Sequence, residues 1–140
     1  MQNDFQSKVQ NINSFSGLNL AYMGDAVFEL LVREMVLSKG SKPQKQLNKE
    51  VQNLVNASAQ PKMYLFAFDK LKKEEQAVLK RGKNAKANTI PKNCSFMEYK
   101  MATGLEALFG YLFLNNEMDR LHEIFEICIM YEGTELCDRS

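Results

Sequence analysis

Two carboxylates stand where ionised groups are costly. From Val9 to Phe28, Asp25 is the only charged residue, with Ala21, Tyr22, Met23, Gly24, Ala26 and Val27 around it. From Met101 to Leu114, Glu106 is again the sole charge. An ionised carboxylate in apolar surroundings costs several kcal/mol unless a cation or strong donors compensate it. Each acid also has small neighbours: Gly24 and Ala26 beside Asp25, and Ala102, Ala107 and Gly110 near Glu106. Small residues let two helices approach closely, so the two acids could converge. Converging carboxylates repel, and a divalent cation is the usual relief. With oxygen ligands and no thiolate or imidazole nearby, the matching ions are hard ones, Mg²⁺ or Mn²⁺. A lone acid in an apolar helix could equally be a buried ion-pair partner or a cap for a neighbouring helix. Glu29, one turn after Asp25, is a weaker candidate, since exposed acids at that spacing are common.

Other chemistries are poorly supplied. His122 is the only histidine, which removes every mechanism that needs two, and it reads as a helix-surface residue. Cys94, Cys128 and Cys137 are odd in number and contain no C-x-x-C spacing, which argues against a disulfide framework or a cysteine-rich zinc site. With 45% hydrophobic and 25% charged residues, the composition is that of a globular domain. No apolar run approaches the roughly 18 residues that span a bilayer, and Met1 to Gln10 lacks the apolar core of a signal peptide. The expectation is a cytoplasmic protein that does not enter a membrane.

The net charge of +1 does not announce a nucleic-acid binder, but its distribution is uneven. Lys80, Arg81, Lys83, Lys86 and Lys92 fall between Gln76 and Met97, with no acid among them. Four lysines and no acid lie between Met35 and Lys49, while acids gather from Glu117 to Asp138. Such asymmetry can attract a polyanion although the overall sum is near zero.

The elements that must position these groups read as helices nearly throughout. Leu20, Met23, Val27, Leu30, Leu31 and Met35 recur at helical spacing, and Gly40 stops that helix. A second begins at Ser41, with Pro43 in its first turn and a thin stripe of Leu47, Val51, Leu54 and Val55. A third starts near Ser58, with Met63, Leu65, Phe66 and Phe68 as packing groups. Lys73 to Lys80 reads as a fourth. Gly82, Asn84, Asn88, Thr89, Pro91 and Asn93 then mark an irregular basic segment. Ser95, with Glu98 three residues on, forms a capping box for a helix to about Leu114. A last helix runs from about Glu117 to Tyr131. No alternating strand pattern, repeat or linker appears, so the expectation is one all-α domain spanning residues 1–140, with about six to seven helices.

L-A-Y-M-G-D-A-V-F-E-L (Leu20 to Leu30) resembles the signature helix of the ribonuclease III family. T-G-L-E-A-L-F-G-Y-L-F-L (Thr103 to Leu114) resembles the family's second motif. The intervening V-L-K-R-G-K-N-A-K-A-N-T-I-P-K-N is similar to the basic segment of its Mini-III subfamily, catalytic domains without an appended double-stranded-RNA-binding domain. The resemblance covers roughly residues 18–121 and leaves no room for such a domain. It departs at Ala21, Leu18 and Thr103, where full-length ribonuclease III has further acids, and at Ser58, where Mini-III sequences tend to have lysine.

The resemblance implies a ribonuclease III-type endonuclease domain that hydrolyses double-stranded RNA with a divalent metal, leaving a 5′-phosphate and a 3′-hydroxyl. It makes Asp25 and Glu106 the catalytic, metal-holding pair, with Mg²⁺ as the cofactor and Mn²⁺ as an alternative. Lys80, Arg81, Lys83, Asn84 and Lys86 become the RNA-binding residues, and Thr103 a candidate to position a water. It further implies a homodimer and, as substrate, the 23S ribosomal RNA precursor, matured at its 5′ and 3′ ends. The competing expectation is a catalytically inactive ribonuclease III-like RNA-binding protein, which the missing acids keep open.

Overall fold

The structure, a computed structural model, describes residues 11–56, 59–86 and 95–139, the last eight by backbone alone. Among the described residues there are six α-helices and no strand. They are α1 (Gly17–Ser38), α2 (Gln44–Val55), α3 (Ala59–Phe68), α4 (Lys73–Lys83), α5 (Phe96–Leu114) and α6 (Met118–Arg139), and a short 3-10 turn (Ile12–Ser14) precedes them. No helix among the described residues is long and apolar enough to cross a membrane.

Local sequence explains most of the boundaries. The Ser16 hydroxyl caps α1 by accepting from the Asn19 amide at 3.1 Å. Past the other end Gly40 adopts φ 119°, a conformation that side chains disfavour. Ser95 and Glu98 form the expected capping box at the start of α5. At its end Asn116 turns the chain with φ 58°. Pro43 stands just outside α2 as its N-cap, rather than in the first turn.

The helix α5 lies at the centre, against α1, α3, α4 and α6. At the α1–α5 crossing, backbone meets backbone. A Cβ on Gly24 would overlap the Glu106 carbonyl and come within 2.8 Å of the Gly110 nitrogen, and one on Gly110 would overlap the Leu20 carbonyl. Ordinary side chains would hold the two helices apart. A second close approach joins α4 to α5, where a Cβ on Gly104 would lie 2.7 Å from the Leu79 carbonyl oxygen. Gly82 belongs to this contact as well, since a Cβ there would lie 2.5 Å from Ala107 Cβ. It is therefore a packing residue inside α4, not the start of an irregular segment. The helix runs three residues past Lys80 because its glycine seats against α5.

Below the glycine crossing, Phe28, Phe109 and Phe125 form the aromatic centre, with ring centroids 5.2 to 6.5 Å apart. Burying each such ring stabilises the fold by about 1.5–3 kcal/mol. The packing of α3 departs from expectation: Leu65 is 61% exposed, while Tyr64, Met63 and Ala67 are buried. Apolar residues surround that helix on every side, so contact with α5 and α6 selects the buried face. The six helices agree with the expected all-α class. The terminal helix continues beyond Tyr131 as backbone.

Candidate active site

The glycine crossing brings the two lone acids together. Asp25 follows Gly24 on α1, and Glu106 is the residue whose carbonyl Gly24 touches on α5. Their carboxyls are hydrogen-bonded, although Asp25 is exposed and Glu106 half-buried. The Glu106 carboxyl is pushed up to about 9, first by burial, then by its hydrogen bond to Asp25 and the charge on Asp25. One contact opposes this shift, a hydrogen bond from the side chain of Gln60 on α3, which favours the ionised form. Three helices thus meet at the acid pair.

The other candidates fall elsewhere. Glu29 is paired with Arg33 at 3.0 Å on the surface of α1. Ala21 and Thr103 are buried, and the Thr103 hydroxyl donates to the Tyr99 carbonyl at 2.8 Å within its own helix. His122 is exposed on α6 with its Nδ1 2.8 Å from the Met118 carbonyl, as a helix-surface residue would be. Cys128 is buried in the core, which pushes its thiol up to about 12 and leaves it unreactive. Among the described residues no group of three or more histidines, cysteines or acids gathers at one point.

Two carboxyl groups in contact, with no lysine or arginine paired to either among the described residues, hold one proton between them at neutral pH and would both ionise only beside a cation. The donors are oxygens only. A hard divalent cation fits them in charge and in ligand type, with Asp25 and Glu106 as the groups that would hold it.

The basic residues sit one helix away. Lys80, Arg81 and Lys83 occupy the last turn of α4, Asn84 caps it, and Lys86 is exposed just beyond. Lys92 and Ser58 lie outside the described residues. Lys83 and Lys80 reach across to α3, with their ammonium groups 5.6 Å from the Tyr64 ring and 5.4 Å from the Phe68 ring. With Tyr64, Leu65, Phe68, Asp69 and Asn84 they line a groove of about 400 Å³. Arg81 turns away, and its Nη1 donates to the Asn13 carbonyl at 3.2 Å.

The helix α3 connects the acids to this groove. Gln60, Tyr64 and Phe68 follow one another at four-residue spacing, about 6 Å of rise per step. Gln60 meets Glu106, Tyr64 meets Lys83, and Phe68 meets Lys80. Sequence reasoning missed Gln60, Tyr64 and Phe68 as site residues. The available signal for Gln60 was a polar residue in register with the buried Met63, Tyr64 and Ala67.

Comparison with known proteins gives a consistent result. The model of the Ribonuclease III domain matches residues 18–117. A Mini-ribonuclease 3 from Thermoanaerobacter sp. (strain X514) is 39% identical, across 86% of this chain and 84% of that protein. One from Clostridium tetani is 42% identical, across 88% and 83%. Among solved structures, the crystal structure of a Fusobacterium nucleatum protein is similar with a TM-score of 0.78 and 38% identity, covering 87% of this chain and 99% of that one.

Proposed function

The chain belongs to the ribonuclease III family, and we propose that Asp25 and Glu106 are its catalytic pair, holding one or more divalent cations against the scissile phosphate of double-stranded RNA. It is an endoribonuclease of the divalent-metal-dependent kind, with Mg²⁺ the proposed ion and Mn²⁺ a substitute. The observation that carries this reading is the contact between two carboxyl groups that no cationic side chain among the described residues neutralises. A divalent cation, when bound there, activates water for attack on phosphorus and neutralises charge on the phosphoryl oxygens. The protein's own part is to fix the carboxylates, one from each of two helices that touch backbone to backbone. Lys83 and Lys80, one and two helical steps along α3, would grip phosphates flanking the cut. Arg81, Asn84 and Lys86 belong to the same proposed RNA surface. A-form RNA is read mainly through phosphates and 2′-hydroxyls, which suits a groove of ammonium groups and an amide.

The proposed physiological substrate is the 23S ribosomal RNA precursor, cut in the cytoplasm, as the Mini-III resemblance implies. A homodimer would place two such sites opposite two RNA strands. Support comes from α1, where Tyr22 is 83%, Leu30 63% and Leu37 56% exposed. Sedimentation at micromolar protein should give twice the 16.1 kDa chain mass; a monomer would end the paired-strand geometry. The activity is tested by incubating the protein with long double-stranded RNA in Mg²⁺ and in chelator. Cutting should occur only with the ion. RNA binding without cutting in either condition would favour the inactive RNA-binding alternative, which leaves the acid pair without a purpose.

A further inference from the structure

Full-length members of the family surround their metal with more than two acids, whereas Ala21, Leu18 and Thr103 stand at three of those positions here. The third polar group at this acid pair is Gln60, which is 5% exposed and lies in the first turn of α3. Only three polar or charged residues among the described ones are buried to this degree, the others being Glu75 and Thr103. Each of those two is accounted for within the scaffold, Glu75 by Arg120 and Thr103 by its own helix. The side chain of Gln60 acts on Glu106, favouring its ionised form.

Its backbone is held on both sides. The Asn56 side chain accepts from the Ala59 amide at 2.9 Å and so caps the helix just before Gln60. Pro61 follows, its ring fixing φ as the first turn closes. Tyr64, one turn later, is buried beneath Lys83 and keeps α3 in register with α4. A side chain launched from so constrained a turn has little freedom left to misplace the group it holds.

We propose that Gln60 is a positioning residue for the metal site, donating its amide N–H to the Glu106 carboxylate and orienting it toward Asp25. The residue type suits the task. A lysine or arginine in its place would neutralise Glu106 and compete with the cation, as Arg120 does for Glu75. An amide fixes the same carboxylate by hydrogen bonding and leaves its charge for the ion. Partners of this sort, one step removed from a metal, set ligand orientation, and their loss typically costs about 10–100-fold in metal affinity.

This inference rests on the proposed role of Asp25 and Glu106, and the test separates the two. Mn²⁺ binding to the RNA-free protein is followed by the spectrum of free Mn²⁺ for wild type, Asp25→Asn and Gln60→Met. Methionine preserves length and apolar packing while removing the donor. All titrations are run at a temperature where circular dichroism shows each variant fully folded, so that lost stability does not pass for lost affinity. Asp25→Asn should abolish the binding, and Gln60→Met should weaken it by roughly 10–100-fold. Cleavage by Gln60→Met should rise toward the wild-type rate as Mn²⁺ approaches saturation. Wild-type Mn²⁺ affinity in Gln60→Met would overturn the role of Gln60 alone. Failure of the wild type to bind Mn²⁺ in a way that depends on Asp25 would overturn the acid-pair reading as well.

Discussion

Two buried or half-buried glutamates in this protein have opposite fates. Glu75, 4% exposed on α4, meets the Arg120 guanidinium through two hydrogen bonds of 2.8 Å, and a third comes from the Lys72 amide. Burial is the largest influence on it and would raise its pKa, yet the bonds and the charge of Arg120 together leave it lowered. Arg120 also donates to Glu123 and to the Lys70 carbonyl, so it ties α6 to α4. Glu106 undergoes similar dehydration but faces another acid and a neutral amide, and its carboxyl rises to about 9. The fold thus compensates one acid fully and leaves the other in deficit. A compensated carboxylate serves the scaffold, whereas the uncompensated pair is the one proposed here to hold a cation.

That contrast can be broken most sharply at the acid pair. Asp25→Asn should keep the helical circular dichroism spectrum and lower cleavage of double-stranded RNA by about three orders of magnitude or more, because it removes charge at the cation while preserving shape. Glu106→Gln should act in the same direction, somewhat less if that carboxylate holds the ion through water. Single-turnover assays at saturating RNA read the effect. A rate near wild type in either variant would disprove the assignment.

The compensated pair should respond in stability instead of chemistry. Arg120→Met leaves Glu75 buried and unpaired and should destabilise the protein by about 3 kcal/mol in urea denaturation. Cleavage per folded molecule should be unchanged at low temperature. Because the folded pKa of Glu75 is lowered, its contribution is present above the ordinary glutamate range and is lost as pH falls through the folded value. The variant should therefore show less acid-induced loss of stability than the wild type.

Glu106 carries the opposite sign. Its folded pKa of about 9 lies above the ordinary 4.5, so the folded state binds the proton more tightly. In metal-free buffer its contribution is complete below pH 4.5 and fades as pH rises toward 9. At pH 8 without divalent ions, Glu106→Gln should be more stable than wild type by up to about 4 kcal/mol, read as a higher Tm. Mg²⁺ should stabilise the wild type most at that pH and the variant hardly at all. A wild-type Tm that does not change with pH or Mg²⁺ would mean that the two glutamates are not so different.

The smallest effects belong to the basic residues and sharpen the comparison within one helical turn. Neutralising Lys80 and Lys83 should weaken RNA binding similarly across sequences and flatten the dependence of log K on log salt by roughly 0.9 per lost contact. Arg81→Gln should change the slope less, since its guanidinium is directed at the Asn13 carbonyl. Titrations in Ca²⁺, which should support binding with little cutting, would measure all three. Equal slopes for every variant would mean that RNA is held elsewhere.

Much of the scaffold was legible because its signals are local. Gly40 and Ser95 with Glu98 mark helix ends through local conformation and contacts with near neighbours in the chain. Asp25 and Glu106 were conspicuous because each is the only charge in a long apolar run, Val9 to Phe28 and Met101 to Leu114. Composition and periodicity were thus enough to settle the all-α class and single out the two acids. Tertiary structure alone decided that the acids meet, since that depends on Gly24 and Gly110 allowing two distant helices to touch. It also chose Tyr64 over Leu65 for burial on a helix apolar all round, turned Arg81 away from the groove, and joined Glu75 to Arg120 across 45 residues. The physical reason is the same in each case. Helical period and capping act within a turn or two of the chain, whereas the partner of a buried charge is set by which helices pack together and how closely.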